Sequence, residues 1–186
     1  NLRSVSNVLD LLNFKSKIIK PNELDKNFSH LIIPGIGNYS RVIETLNINE
    51  GKEKIFQFFN TGKPIIGICL GMHLLSTTGE EGGVLSKGLG LIKGNVRRIK
   101  VSNKKLLPHI GWNSVNFKKK HIILSNIKDD MDFYFVHSYI FDLDDEKDSL
   151  GKTLYEENFN SIICKNNVIG CQFHPEKSQK FGINIL

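Results

Sequence analysis

Two short segments of this 186-residue chain combine residue types that could perform covalent chemistry. The first is Gly67-Ile68-Cys69-Leu70-Gly71, a cysteine with glycine two residues to either side, set where an apolar run meets a helix-like segment. Small neighbours permit a sharp strand-to-helix turn that exposes the central side chain as a nucleophile. A helix starting there favours a thiolate and offers N–H groups to an oxyanion. The same pentapeptide also suits a tight turn around an inert, buried cysteine. The second segment is Phe173-His174-Pro175-Glu176. Residues two apart in an extended segment face the same way, so Glu176 could hold His174 in the tautomer and orientation a general base needs. A turn histidine beside an exposed glutamate would read identically. Cys69 and His174 stand 105 positions apart, so only the fold can join them. Together they have the composition of a Cys-His-Glu hydrolytic triad on a doubly wound sheet.

The elements around them point to such a sheet. Ser29 to Ile33 is an apolar run stopped by Pro34-Gly35, and Pro64 to Ile68 is a second; both read as buried strands. Arg41 to Leu46, Glu53 to Phe59 and Met72 to Leu75 read as helical. Fully apolar strands separated by helices predict a parallel sheet covered on both faces. From about residue 89 the texture changes to strands and turns: Leu89 to Val101, Gly111 to Phe117 and Asp132 to Phe141 read as extended. Ser161 to Cys164 and Val168 to Phe173 flank a hairpin turn at Lys165-Asn166-Asn167. Residues 1–186 read as one domain, without repeats or low-complexity linkers. The opening segment, Asn1 to Phe14, has Leu2, Val5, Val8, Leu9 and Leu12 at helical spacing, with no methionine and no strand ahead of it. The expectation is that the sheet's first strand is missing from this sequence.

Composition excludes several classes. No apolar run approaches the roughly 20 residues of a membrane span and no signal-peptide pattern opens the chain, so a cytosolic protein is expected. Cysteines at 69, 164 and 171 form neither a disulfide framework nor a metal-ligand spacing, so no metal or cofactor is expected. The net charge is +6, but the cations are 21 Lys and 4 Arg, dispersed apart from Lys118-Lys119-Lys120 and opposed by an acidic stretch from Asp142 to Asp148. Nucleic-acid readers favour clustered charge and arginine, so no nucleic-acid partner is expected.

The elbow and the His-Pro-Glu segment resemble the class I glutamine amidotransferases, whose catalytic residues fall on Cys69, His174 and Glu176. Within that family the chain is similar to the glutaminase subunits of imidazole glycerol phosphate synthase. Asn1 to Val5, Gly67 to Met72, Glu80 to Gly83, Gly88 to Ile92, Pro108 to Asn113, Tyr134 to Tyr139 and Gln172 to Ser178 carry the likeness across the whole chain. The resemblance implies a flavodoxin-like three-layer α/β fold with a mostly parallel central sheet and an antiparallel portion in the second half. It places Gly35, Ile36 and Gly37 in an oxyanion loop, where the Ile36 N–H, after a peptide reorientation, joins the Leu70 N–H. It sets Glu81 on the glutamine ammonium group, and His137, Ser138 and Tyr139 in the loop contacting the α-carboxylate. Trp112, Asn113 and Tyr134 would face a (β/α)₈-barrel synthase/cyclase partner in a heterodimer, with a core indole as the alternative for Trp112. The implied function is glutamine hydrolysis through a thioester, with ammonia passed on to make imidazole glycerol phosphate and aminoimidazole carboxamide ribotide in histidine biosynthesis.

Two departures stand out. His73 occupies a substrate-contacting position where the family usually has glutamine, and retains one hydrogen-bond donor. Gly37-Asn38-Tyr39-Ser40-Arg41 replaces a usual small, acidic-flanked stretch. These leave open a paralogue feeding ammonia to a surface-sugar amidination enzyme, an inactive interaction subunit, or a cysteine peptidase-like protein on a similar sheet. The chain has no phosphate loop and no second catalytic segment, so acceptor chemistry is expected on another polypeptide.

Overall fold

A computed structural model describes residues 2–102, 106–125, 127 and 131–186; Asn1, the first residue of the expected opening helix, lies outside them. Helix α1 (Leu2–Leu11) buries Val5 and Val8, the apolar face that the spacing indicates. Strand β1 (Leu31–Gly35) leads through helices α2 (Tyr39–Ile48) and α3 (Gly51–Phe59) to strand β2 (Ile65–Cys69). These two strands pair in parallel, with Gly35 opposite Cys69. Their Ile32, Ile66 and Ile68 pack with α1, while Leu31, Ile33 and Ile65 pack with α2 and α3. The alternation of a strand divides its side chains between the two covered faces, giving the three-layer arrangement.

Helix α4 (Leu70–Leu74) follows β2 without a connecting residue. The chain then forms β3 (Thr78–Gly79), β4 (Ser86–Lys87), β5 (Gly94–Arg98), β6 (His109–Phe117), β7 (Met131–His137), β8 (Tyr139–Leu143), β9 (Ser149–Tyr155), β10 (Glu157–Lys165), β11 (Val168–Cys171) and helix α5 (Gln179–Ile183). The larger sheet has seven strands in the order β1-β2-β11-β10-β9-β6-β7, and a smaller one has the order β4-β3-β5-β8. In the larger sheet β1, β2 and β11 run parallel, and the pairings from β11 through β10, β9 and β6 to β7 are antiparallel. The antiparallel portion expected in the second half is therefore the longer part.

The extended run expected from Asp132 to Phe141 breaks at Ser138. Strand β7 pairs with β6 in the larger sheet and β8 with β5 in the smaller, so the chain changes sheets there. Of Leu89 to Val101 only Gly94–Arg98 is a strand, because Gly90 at φ 66° turns the chain first. Strand β9 was not expected, since Gly151 and Lys152 interrupt its apolar alternation. Among the described residues no helix is long and apolar enough to cross a membrane.

Candidate active site

Strand β2 is buried along its length and delivers Cys69 to the corner with α4. Cys69 holds φ 52° and ψ −110°, a conformation that costs a non-glycine residue roughly 1–3 kcal/mol and persists only when its surroundings enforce it. Close approach supplies the enforcement. A Cβ on Gly71 would lie 1.7 Å from the Ile33 carbonyl oxygen, and one on Gly67 would lie 2.5 Å from the Gly71 oxygen. Both glycines are thus required by backbone contact, more than by conformational freedom.

The Cys69 thiol is 7% exposed and donates to the Val136 carbonyl at 3.7 Å. Gln172 Nε2 reaches its sulfur at 4.0 Å. Burial pushes this thiol up to about 12; the Leu70 N–H and Lys177 pull it down, while Glu81 and Glu176 push it further up. The thiolate-favouring helix expected from the sequence is present but only five residues long, and desolvation outweighs it.

Strand β11 lies parallel to β2 with Cys171 opposite Ile68, which sets Gln172 beside Cys69 and carries the chain toward His174. The His174 Nδ1–H donates to Glu176 Oε1 at 2.8 Å, and both side chains are fully buried. The pairing is as expected, but its geometry is not strand alternation. Strand β11 ends at Cys171, and Pro175–Lys177 is a turn of 3₁₀ helix that brings Glu176 back under the ring. The proline fixes that turn's first φ. Donation from Nδ1 in this contact leaves His174 Nε2 as the nitrogen that carries the lone pair in the corresponding imidazole tautomer. Its main chain is tied to β7: the His174 N–H donates to Tyr134 O at 2.9 Å, Ser178 Oγ donates to His174 O at 2.7 Å, and the Tyr134 N–H donates to Ser178 Oγ at 2.9 Å.

Around the thiol lie further polar groups. Glu81 receives the Tyr39 N–H at the start of α2, and burial raises its carboxyl above the usual range. Its Oε2 is buried without a hydrogen-bond partner among the described residues. An unmatched buried carboxylate oxygen is costly unless something cationic arrives. His73, 3% exposed, donates from Nε2 to Gln172 Oε1 at 2.8 Å, and burial lowers its pKa to about 4. The donor expected to serve substrate is therefore engaged by Gln172, and the buried Nδ1 is left as a bare acceptor. Gly35 sits opposite Cys69, Gly37 has φ 123°, and the Ile36 side chain between them is exposed.

The remaining expected residues divide. His137 is buried and faces the site: its electrostatic neighbours include His73 and His174. Ser138 and Tyr139 form the corner where β7 passes to β8. Trp112 is 48% exposed and packs edge-on against Tyr134 at 6.0 Å, so it is a surface indole and not a core one. Asn113 lies beside it on β6. Sequence reasoning gave no role to Gln172, His109, Lys177 or the Val136 carbonyl. Gln172 was readable in principle, since it precedes His174 by two residues; the others are placed by pairing between distant strands. Among the described residues no cluster of His, Cys, Asp and Glu could hold a metal ion.

A cysteine on an enforced strand-to-helix corner, with a carboxylate-held histidine just beyond the end of the neighbouring strand, is an arrangement suited to acyl transfer. The family model described as glutamine amidotransferase class-I matches residues 2–184, and the chain belongs to that family. Its curated relatives narrow the branch. The protein of Methanocaldococcus jannaschii named imidazole glycerol phosphate synthase subunit HisH is 42% identical over 100% of this chain and 91% of its own length. The subunit HisH of Caldanaerobacter subterraneus subsp. tengcongensis is 41% identical over 100% and 90%. The subunit HisH 2 of Methanococcus maripaludis is 39% identical over 100% and 92%. Among solved structures, PurLQS from Thermotoga maritima superposes with a TM-score of 0.75 at 16% identity, covering 98% of this chain and 88% of that one. That likeness shows the fold alone.

Proposed function

We propose that this chain is the glutaminase subunit of an imidazole glycerol phosphate synthase, and that Cys69, His174 and Glu176 are its catalytic residues. The observation that carries the reading is the fully buried His174–Glu176 pair at 2.8 Å, set just beyond the end of β11, the strand that pairs with β2 and its Cys69. The Cys69 S–H proton passes to His174 Nε2 as the sulfur attacks the glutamine carboxamide carbon. The resulting imidazolium, held by Glu176, protonates the leaving nitrogen, so that ammonia departs and a glutamyl thioester remains. Water then gives a proton to His174 and attacks the thioester carbonyl; glutamate leaves, and the proton returns to sulfur. Such proton transfer contributes on the order of 10²–10⁴ in rate. It also accommodates the thiol's high pKa, because the proton leaves sulfur only as the carbon–sulfur bond forms.

In this reading the Leu70 N–H and a reoriented Ile36 N–H stabilise the tetrahedral oxyanion, each contributing about 10²–10³. Glu81, with its unmatched Oε2, receives the substrate ammonium. His73 accepts from that same group through Nδ1, and the corner 137–139 receives the α-carboxylate. Ammonia passes to a (β/α)₈-barrel partner subunit docked on Trp112, Asn113 and Tyr134, in the cytoplasm.

Co-purification with the partner followed by a glutaminase assay tests the whole reading. Ammonia release stimulated by the partner, and reduced at least about 10⁴-fold in Cys69→Ala, is expected. Release unaffected by that substitution, or recovery of a sugar-modifying enzyme as the partner, would overturn it.

A further inference from the structure

His109 is one of the buried polar residues to which this mechanism gives no role. Its ring is 3% exposed, stacked between Phe135 (centroids 5.0 Å apart, 21° between planes) and Tyr155 (4.0 Å, 22°). It belongs to a hydrogen-bonded chain that crosses the antiparallel part of the sheet. At the inner end the His137 ring donates from Nδ1 to the Tyr139 carbonyl at 2.8 Å. His109 Nδ1 meets His137 Nε2 at 3.0 Å, and Asn113 Nδ2 meets His109 Nε2 at 3.3 Å while also donating to Leu154 O at 3.1 Å.

One proton arrangement fits these contacts. A carbonyl only accepts, so His137 carries its hydrogen on Nδ1, and its Nε2 is a bare acceptor when the ring is neutral. His109 must then donate from Nδ1, and its own Nε2 must accept from the Asn113 amide. Burial and the neighbouring His109, His73 and His174 hold His137 neutral, which is the state this arrangement needs. Each ring thereby fixes the next, from a half-buried asparagine beside Trp112 to the main chain of the β7–β8 corner. That corner adjoins the nucleophile: the residue before His137 is Val136, whose carbonyl accepts the Cys69 S–H.

We propose that His109 and Asn113 are positioning residues for the glutamine head group, acting through His137 to hold the Ser138–Tyr139 corner in the shape that receives the α-carboxylate. The inference rests on the reading of Cys69 as nucleophile and of residues 137–139 as the carboxylate loop. Neither residue touches substrate. The corner's main chain is held by strand pairing at His137 and Tyr139 and by the Ile99 N–H donating to Ser138 O at 2.9 Å, and the ring-to-carbonyl bond adds a further constraint on the Tyr139 peptide. A misplacement of about 1 Å in such a support costs on the order of 10² in rate.

Two reagents for Cys69 separate this role from a merely structural one. The 6-diazo-5-oxo-L-norleucine label carries the amino-acid head group, whereas iodoacetamide does not. His109→Phe keeps an aromatic ring in the stack and deletes both hydrogen bonds. It is expected to slow diazo labelling of Cys69, followed by peptide mass spectrometry, by about tenfold or more, while the iodoacetamide rate stays within about twofold. His109→Gln, which can still donate and accept, should recover most of the loss. Asn113→Ala, half-buried at the outer end, should show about a threefold loss and decides the matter if the Phe variant does not fold. Diazo labelling at the wild-type rate in both variants, or equal slowing with both reagents, would overturn the proposal. Wild-type Cys69 that takes iodoacetamide but refuses the diazo reagent would instead remove the glutaminase reading, and this inference with it.

Discussion

In the parallel part of the larger sheet, β2 is buried at every position and has helices on both faces. In the antiparallel part, β6 buries His109 and Val115 while Ile110 and Trp112 on the opposite face stay exposed. The difference follows from connectivity. Parallel neighbours need crossovers that cover both faces, whereas antiparallel strands joined by turns can leave one face open. The closed part has no latitude, and it carries the strained backbone of Cys69. The open part has a spare surface, and it carries Trp112 and Tyr134, the pair proposed to face a partner. On the proposed function, chemistry and docking use different packing regimes, joined at β7, whose Tyr134 and Val136 carbonyls reach His174 and Cys69.

Gly71→Ala should break the closed side outright. The added Cβ has main chain 1.7 Å away, so a loss above about 4 kcal/mol is expected, read as failure to fold or a collapsed denaturant midpoint. Glu176→Gln should fold normally and lose about 10²–10⁴ in kcat, because an amide still accepts from His174 Nδ1 but does not stabilise the imidazolium. A loss in KM alone would remove Glu176 from the triad.

His73 sharpens the same comparison through pH. Its pKa is lowered from 6.5 to about 4 in the folded chain, so the unfolded chain binds a proton that the native site refuses. Stability is therefore lost as pH falls from about 6.5 toward 4, by roughly 3 kcal/mol at the lower end. His73→Gln should remove that slope, so the gap between variant and wild-type denaturant midpoints widens in the variant's favour on acidification. Parallel pH profiles would place the neutral ring elsewhere than the closed core.

The smallest effect on the isolated chain belongs to the open face. Trp112→Ala should leave stability and basal glutaminase nearly unchanged while weakening partner binding by about 1–3 kcal/mol, measured by titration calorimetry. Loss of folding instead would return Trp112 to the core.

The closed part was legible because its signals are local. The apolar runs 29–33 and 64–68, the glycines flanking Cys69 and the His-Pro-Glu segment each act within a few residues. The open part was less legible. Strand β9 lacked alternation, the 132–141 run hid a change of sheet at Ser138, and Glu176 reached His174 through a turn where strand alternation was expected. His109 carried no local signal, since its stack and hydrogen bonds come from β7, β9 and its own strand.

By itself the sequence determined the α/β class, the glycine-flanked corner at Cys69 and the pairing of His174 with Glu176, because backbone sterics and short-range spacing decide those. Tertiary structure decided what each of these groups is able to do. It set the Cys69 thiol to about 12, engaged the His73 donor on Gln172 and left Glu81 with an open oxygen. Burial and hydrogen-bond partners govern protonation and availability, and residues 99 to 103 positions apart supply those partners here.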